Sequence, residues 1–201
     1  MISQVPLSLS QDADADALLD RDPLALLLGM LLDQQISMEH AFWAPSQLAA
    51  RLGVSQLDAA AIANHDPDDL IAIFATPRAL HRYPKSMAGR VQALCAAIVE
   101  QYDGDVTRIW SDVTDGKQLY DRLVALPGFG AQKAKIFTAL LGKQRGITPP
   151  GWREAAGDYG REGVHMSVAD VVDAGSLAKV REFKQAAKAA AKAQKPAAQK
   201  G

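Results

Sequence analysis

The chain has 201 residues, 48% hydrophobic but only 6% aromatic, which builds a core, excludes wholesale disorder and favours helices over sheets. A formal net charge of −1 excludes a protein that grips nucleic acid with its whole surface. The one cysteine, Cys95, excludes an internal disulfide and a four-cysteine zinc or iron–sulfur site, and its apolar surroundings predict a buried, inert thiol.

The first 22 residues are acidic, with Asp12, Asp14, Asp16, Asp20 and Asp22 against Arg21, and predict a short acidic helix from 12 to 20. Asp22-Pro23 then opens a new element, since Asp caps a helix and Pro fits its first position. Leu24, Leu27, Leu28, Leu31 and Leu32 follow at helical spacing and predict a buried helix to Ile36. Pro45-Ser46 starts the next, stopped by Gly53. Ser55-Gln-Leu-Asp58 reads as a cap for a helix to His65, and Asp66-Pro67 opens one carrying Leu70, Ile71 and Phe74. A long amphipathic helix spans 84–102, and another runs from 115 to 126. The string Pro127-Gly128-Phe129-Gly130 separates it from a helix over 131–141, which Gly142 and Gly146 break. Residues 147–163 are rich in Gly and Pro and read as irregular, with a helical turn near Arg153. Ser167 to Asp170 is a cap pattern, and a final helix over 174–194 passes into Ala/Lys low-complexity sequence. Lys184, Lys188 and Lys192 fall four apart on one face and repel, so disorder is expected over 184–201.

The sum is an all-α, compact bundle of short helices, a monomer. The start shows no basic segment followed by an apolar run, and no stretch approaches the ~20 residues of a membrane span. A cytoplasmic protein without membrane contact is expected.

The turn at 126–134 carries the chemistry. Pro127 cannot continue a helix, while Gly128 and Gly130 permit backbone angles that other residues resist. The amides of Gly128, Gly130 and Ala131 then face outward at a helix N-terminus, an anion site suited to one DNA phosphate. Phe129 is placed to drop into the core and lock the turn. A plain interhelical turn would use the same glycines for geometry alone.

The whole string Leu-Pro-Gly-Phe-Gly-Ala-Gln-Lys-Ala resembles the helix-hairpin-helix of base-excision DNA glycosylases related to endonuclease III and 3-methyladenine glycosylase. Leu31-Leu-Asp-Gln-Gln-Ile-Ser37 is similar to the end of the family's early helix, where a Gln enters the DNA at the lesion; Gln35 holds that position. Lys85-Ser-Met-Ala-Gly-Arg-Val91 resembles the helix start that precedes the hairpin. The resemblance covers 23–146 and implies a helical barrel there, with 147–183 packing against the N-terminal 1–22 to form a second lobe. It implies double-stranded DNA as partner, contacts from Gln35, Gly128, Gly130, Ala131, Gln132 and Lys133, and a monovalent cation at the hairpin carbonyls.

The chain departs from the family in three places. Members that cut the strand carry a Lys where this chain has Gln132, and a Schiff base needs an amine. Lys133 is one residue on, about 100° around the helix, and is expected to point away from the cleft as a phosphate contact. No lyase activity is expected from position 132. The window of the family's catalytic Asp reads Pro150-Gly151-Trp152, leaving Glu154 and Asp158 as the nearest carboxylates; either is a catalytic candidate or surface charge. The iron–sulfur loop is absent.

Trp152 is the candidate for stacking on a flipped base; Trp43 is a weaker one and Trp110 fits the core. His40, His65, His81 and His165 show no metal-ligand spacing, so no side-chain metal site is expected. The Lys-rich tail would add salt-sensitive attraction to DNA. Three functions stay open: a monofunctional glycosylase, a catalytically inactive relative that binds damaged or distorted DNA, or a structural helical module with no DNA role, which the near-neutral net charge would suit.

Overall fold

Aspartate carboxylates start most of the helices. Asp12, Asp22, Asp58, Asp66, Asp115 and Asp173 each accept a hydrogen bond from a first-turn amide. Each cap satisfies a donor that the helix itself leaves open and is worth about 1 kcal/mol. Much of the acidic composition is therefore structural.

A computed structural model describes residues 5–194. Its described residues form α1 (Ala13–Arg21), α2 (Pro23–Leu32), α3 (Met38–Leu52), α4 (Ala59–Ala63), α5 (Pro67–Ala75), α6 (Pro84–Tyr102), α7 (Gly116–Val124), α8 (Ala131–Gln144), α9 (Trp152–Ala156) and α10 (Ala174–Ala193). Short 3-10 turns cover Val106–Ile109, Gly157–Gly160 and Val168–Asp170. No strand occurs among the described residues, and none of their helices is long and apolar enough to cross a membrane.

α2 is the hub. Every residue from Leu24 to Leu32 is buried, because α3, α6 and α8 all pack on it. An apolar helix with no polar face requires such surroundings. α4 and α5 lie on α6, while α7, α8 and α9 pack together. The acidic start is tied down: Asp20 accepts Leu7 N–H and pairs with Arg145 at the end of α8, 2.8 Å away. Cys95 is buried, and desolvation pushes its thiol up to about 12, as an inert core thiol requires.

Several boundaries differ from expectation. α2 ends at Leu32, not Ile36, because the chain turns at Asp33 and reaches a left-handed conformation at Gln35, φ 58°. α3 starts well before Pro45: Ser37 caps it by accepting His40 N–H, and Pro45 lies inside the helix. α8 runs through Gly142 to Gln144. That glycine makes room for an aromatic ring, since a Cβ there would lie 2.4 Å from Trp152 Cε3. In the 147–163 segment the helical turn expected near Arg153 is α9, and a 3-10 turn at Gly157–Gly160 follows it. α10 stays helical to Ala193, through residues expected to be disordered, where alanine supplies high helix propensity. The rest of that expectation, 195–201, lies outside the described residues.

Candidate nucleic-acid interface

α7 and α8 are joined by a tight turn. Phe129 N–H donates to Leu126 O at 3.1 Å, and Gly128 takes φ 82°. A Cβ on Gly128 would lie 2.4 Å from Leu31 Cδ1, so the turn docks on the end of α2. Phe129 is buried, its ring edge-on to Phe137 with centroids 6.1 Å apart. The turn is thus locked as its sequence predicted. Gly130 caps α8 without a side-chain acceptor, and Gly128, Gly130, Ala131 and Gln132 are exposed. The first-turn amides of α8 are available to an anion.

Beside this turn opens a cleft of 630 Å³. Its walls come from the end of α2 and the loop after it (Asp33, Gln34, Gln35), the start of α8 (Gln132, Lys133), Tyr159, and Phe183 and Lys184 of α10. The structure therefore brings Gln35, Gln132 and Lys133 together. Gln35 is exposed at its left-handed position, and Gln132 Nε2 donates to Tyr159 Oη at 3.0 Å.

Lys133 does not turn away from the cleft. Its long stem reaches across to α2, where Nζ donates to Leu31 O and to Gln34 Oε1, the latter at 3.2 Å. Burial and, less, the charge of Arg90 lower its pKa to about 8 against the pull of Asp33. The amine that Gln132 cannot supply thus lines the cleft one residue later. Asp33 is the one carboxylate among the cleft-lining residues. Burial raises its pKa, while Lys184 and Lys133 draw it back toward the ionised form.

Gln34 is held from the other side as well. Its carbonyl accepts from His81 Nε2 at 3.0 Å, and its Nε2 donates to Met87 Sδ at 3.4 Å. Tyr83 N–H donates to His81 Nδ1 at 3.0 Å. With one nitrogen donating and the other accepting, His81 is neutral. Burial lowers its pKa in agreement.

The other candidates lie elsewhere. The side chain of Asp158 is 74% exposed and 3.7 Å from Arg161. Glu154 is exposed on a separate depression with Tyr120 and Lys135. Neither carboxylate lines the cleft at Lys133. Trp152 is 8% exposed, packed on Gly142 and covered by the Arg153 guanidinium 4.4 Å above its ring. It is not available to stack on a base. Phe183, 41% exposed at the cleft wall, and Tyr159 are the available rings. Asp33, Tyr159 and Phe183 were not singled out in the sequence; a carboxylate ending an all-apolar helix was the one signal for Asp33.

No family model, curated relative or solved structure matches the chain.

Proposed function

We propose that this chain is a DNA-binding base-excision-repair protein, a glycosylase-like hydrolase of the N-glycosidic bond of a damaged base. The observation that carries the reading is the cleft that joins Asp33, Gln35 and Lys133 beside the uncapped start of α8. The α8 amides hold a phosphate of double-stranded DNA, and Gln35 enters the base stack. The extruded base lies in the cleft against Phe183 and Tyr159. The fold would be the helix-hairpin-helix glycosylase fold.

The chemistry falls to the pair that lines the cleft, in place of Asp158 or Glu154. Water attacks C1′ of the deoxyribose as the C1′–N bond breaks and the base leaves with the electron pair. Asp33 steadies the positive charge at C1′ and takes the proton of the attacking water. The Lys133 ammonium, with a pKa of about 8, is an acid able to protonate the departing base. A monovalent cation at the hairpin carbonyls belongs to this reading, since Leu126 O accepts one N–H, from Phe129, and keeps a second lone pair. It would offer positive charge to the same phosphate.

The test is base release from duplexes carrying alkylated, deaminated and oxidised bases, with alkali added afterwards to reveal abasic sites. Release by the wild type, lost in Asp33→Asn and kept in Asp158→Asn, is expected. Loss in Asp158→Asn alone would overturn the assignment to Asp33. The second reading, a binder without chemistry, rests on the exposed positions of Asp158 and Glu154. Salt-dependent binding that weakens in Gly130→Asp, with no release from the panel, would favour it.

A further inference from the structure

From Ile71 to Val99 the chain has no acidic residue, yet it carries Arg78, Arg82, Lys85 and Arg90. In a protein with net charge −1 this is a local excess. All four side chains are exposed, on the α5–α6 loop and the first turns of α6. Some other exposed cations answer to carboxylates, Lys117 to Asp121, Arg108 to Asp103 and Arg181 to Glu39, whereas Arg21, Lys135 and the described lysines of α10 do not. Among the described residues, Arg82, Lys85 and Arg90 pair with none. Arg90 instead faces the like charge of Lys133.

Two residues of the same stretch, His81 and Met87, contact the 33–36 loop. Gln34 is gripped by Lys133 from α8, and by His81 and Met87 from the α5–α6 side. The loop that presents Gln35 therefore stands between two anion-attracting surfaces. A side chain that enters a base stack has one strand's phosphates on each flank.

We infer that Arg82, Lys85 and Arg90 form the surface that holds the phosphates of the strand opposite the damaged base, while the start of α8 holds the damaged strand. This rests on the DNA-binding reading above. Such contacts carry no sequence information; they add affinity by releasing counterions and fix the duplex about Gln35.

The test compares the full chain with its Arg82→Gln/Lys85→Gln/Arg90→Gln variant, and with Lys117→Gln as a charge control. The probe is a duplex with a central tetrahydrofuran abasic analogue, titrated by fluorescence anisotropy from low to moderate salt. Circular dichroism confirms that the variants fold. The triple variant is expected to lose about tenfold or more in affinity, and its slope of log K against log salt to fall by about 3. Lys117→Gln should leave the slope unchanged. Methylphosphonates placed in the undamaged strand should abolish the difference between wild type and triple variant; placed in the damaged strand they should preserve it. Wild type that binds no DNA would overturn the DNA reading. Wild type that binds, with an unaltered triple variant, would overturn this inference alone. A difference that vanishes only with methylphosphonates in the damaged strand would overturn the strand assignment.

Discussion

Lys133 Nζ lies 3.2 Å from Gln34 Oε1, and this contact joins the start of α8 to the loop that presents Gln35. Because the amine is desolvated, its pKa is about 8 in the fold against 10.5 ordinarily. Between those two values the unfolded chain binds a proton that the folded chain lacks, so stability rises with pH across that window. Urea denaturation of the wild type and Lys133→Met should show that rise in the wild type only. An NMR titration of labelled lysines should give one resonance with a midpoint near 8. If every lysine titrates near its ordinary value, Lys133 is solvated and is no acid for a leaving base.

His81 is the counterpart of Lys133 at Gln34, whose carbonyl accepts from its Nε2. Burial depresses its pKa below the ordinary 6.5. Above 6.5 both states are neutral; as pH falls below it, the unfolded chain takes up a proton that the fold refuses, and stability is lost. Nδ1 cannot be protonated without facing the Tyr83 N–H donor. His81→Gln should remove that acid slope, and the partners it leaves unmet should cost about 1–3 kcal/mol at neutral pH. An unchanged slope would mean that His81 does not carry the acid sensitivity.

Trp152 makes the strongest steric prediction. A Cβ at Gly142 would lie 2.4 Å from its ring, and one at Gly116 would lie 2.4 Å from its Cα and 2.6 Å from the carbonyl carbon of Gly151. Gly142→Ala should cost about 1–3 kcal/mol, the usual scale of overpacking. Gly116→Ala meets backbone, which cannot swing aside, and should cost more. Thermal unfolding that ranks the two in the reverse order would show that α9 shifts more easily than the ring.

Local signals were legible and tertiary ones were not. Asp22-Pro23, Asp66-Pro67 and the 84–102 helix stand where caps and periodicity put them, because those cues act within one turn. Phe129 in the core followed from its two flanking glycines. Gly142 misled, since a glycine under an aromatic ring and a glycine that ends a helix look alike in one dimension. Lys133 misled for a related reason: helical rotation gives the direction of Cβ, while a four-carbon stem reaches well beyond it. The cleft itself joins residues near 33, 133, 159 and 183, a proximity that no spacing encodes.

Gln35 offers a way to separate function from stability. It is exposed, with φ 58°, a conformation that disfavours side chains other than glycine. Gln35→Gly relieves that strain but frees the unfolded chain, so the two effects oppose and stability should stay within about 1 kcal/mol of wild type. A residue kept in a strained position for structure alone would show nothing further on replacement. If Gln35 enters the base stack, affinity for a duplex with an abasic analogue should fall by about tenfold, the equivalent of ~1.4 kcal/mol. The loss should be far smaller on an undamaged duplex, where there is no gap to fill. Equal affinity of wild type and Gln35→Gly for the abasic duplex would remove Gln35 from the interface and leave its backbone strain without a functional account.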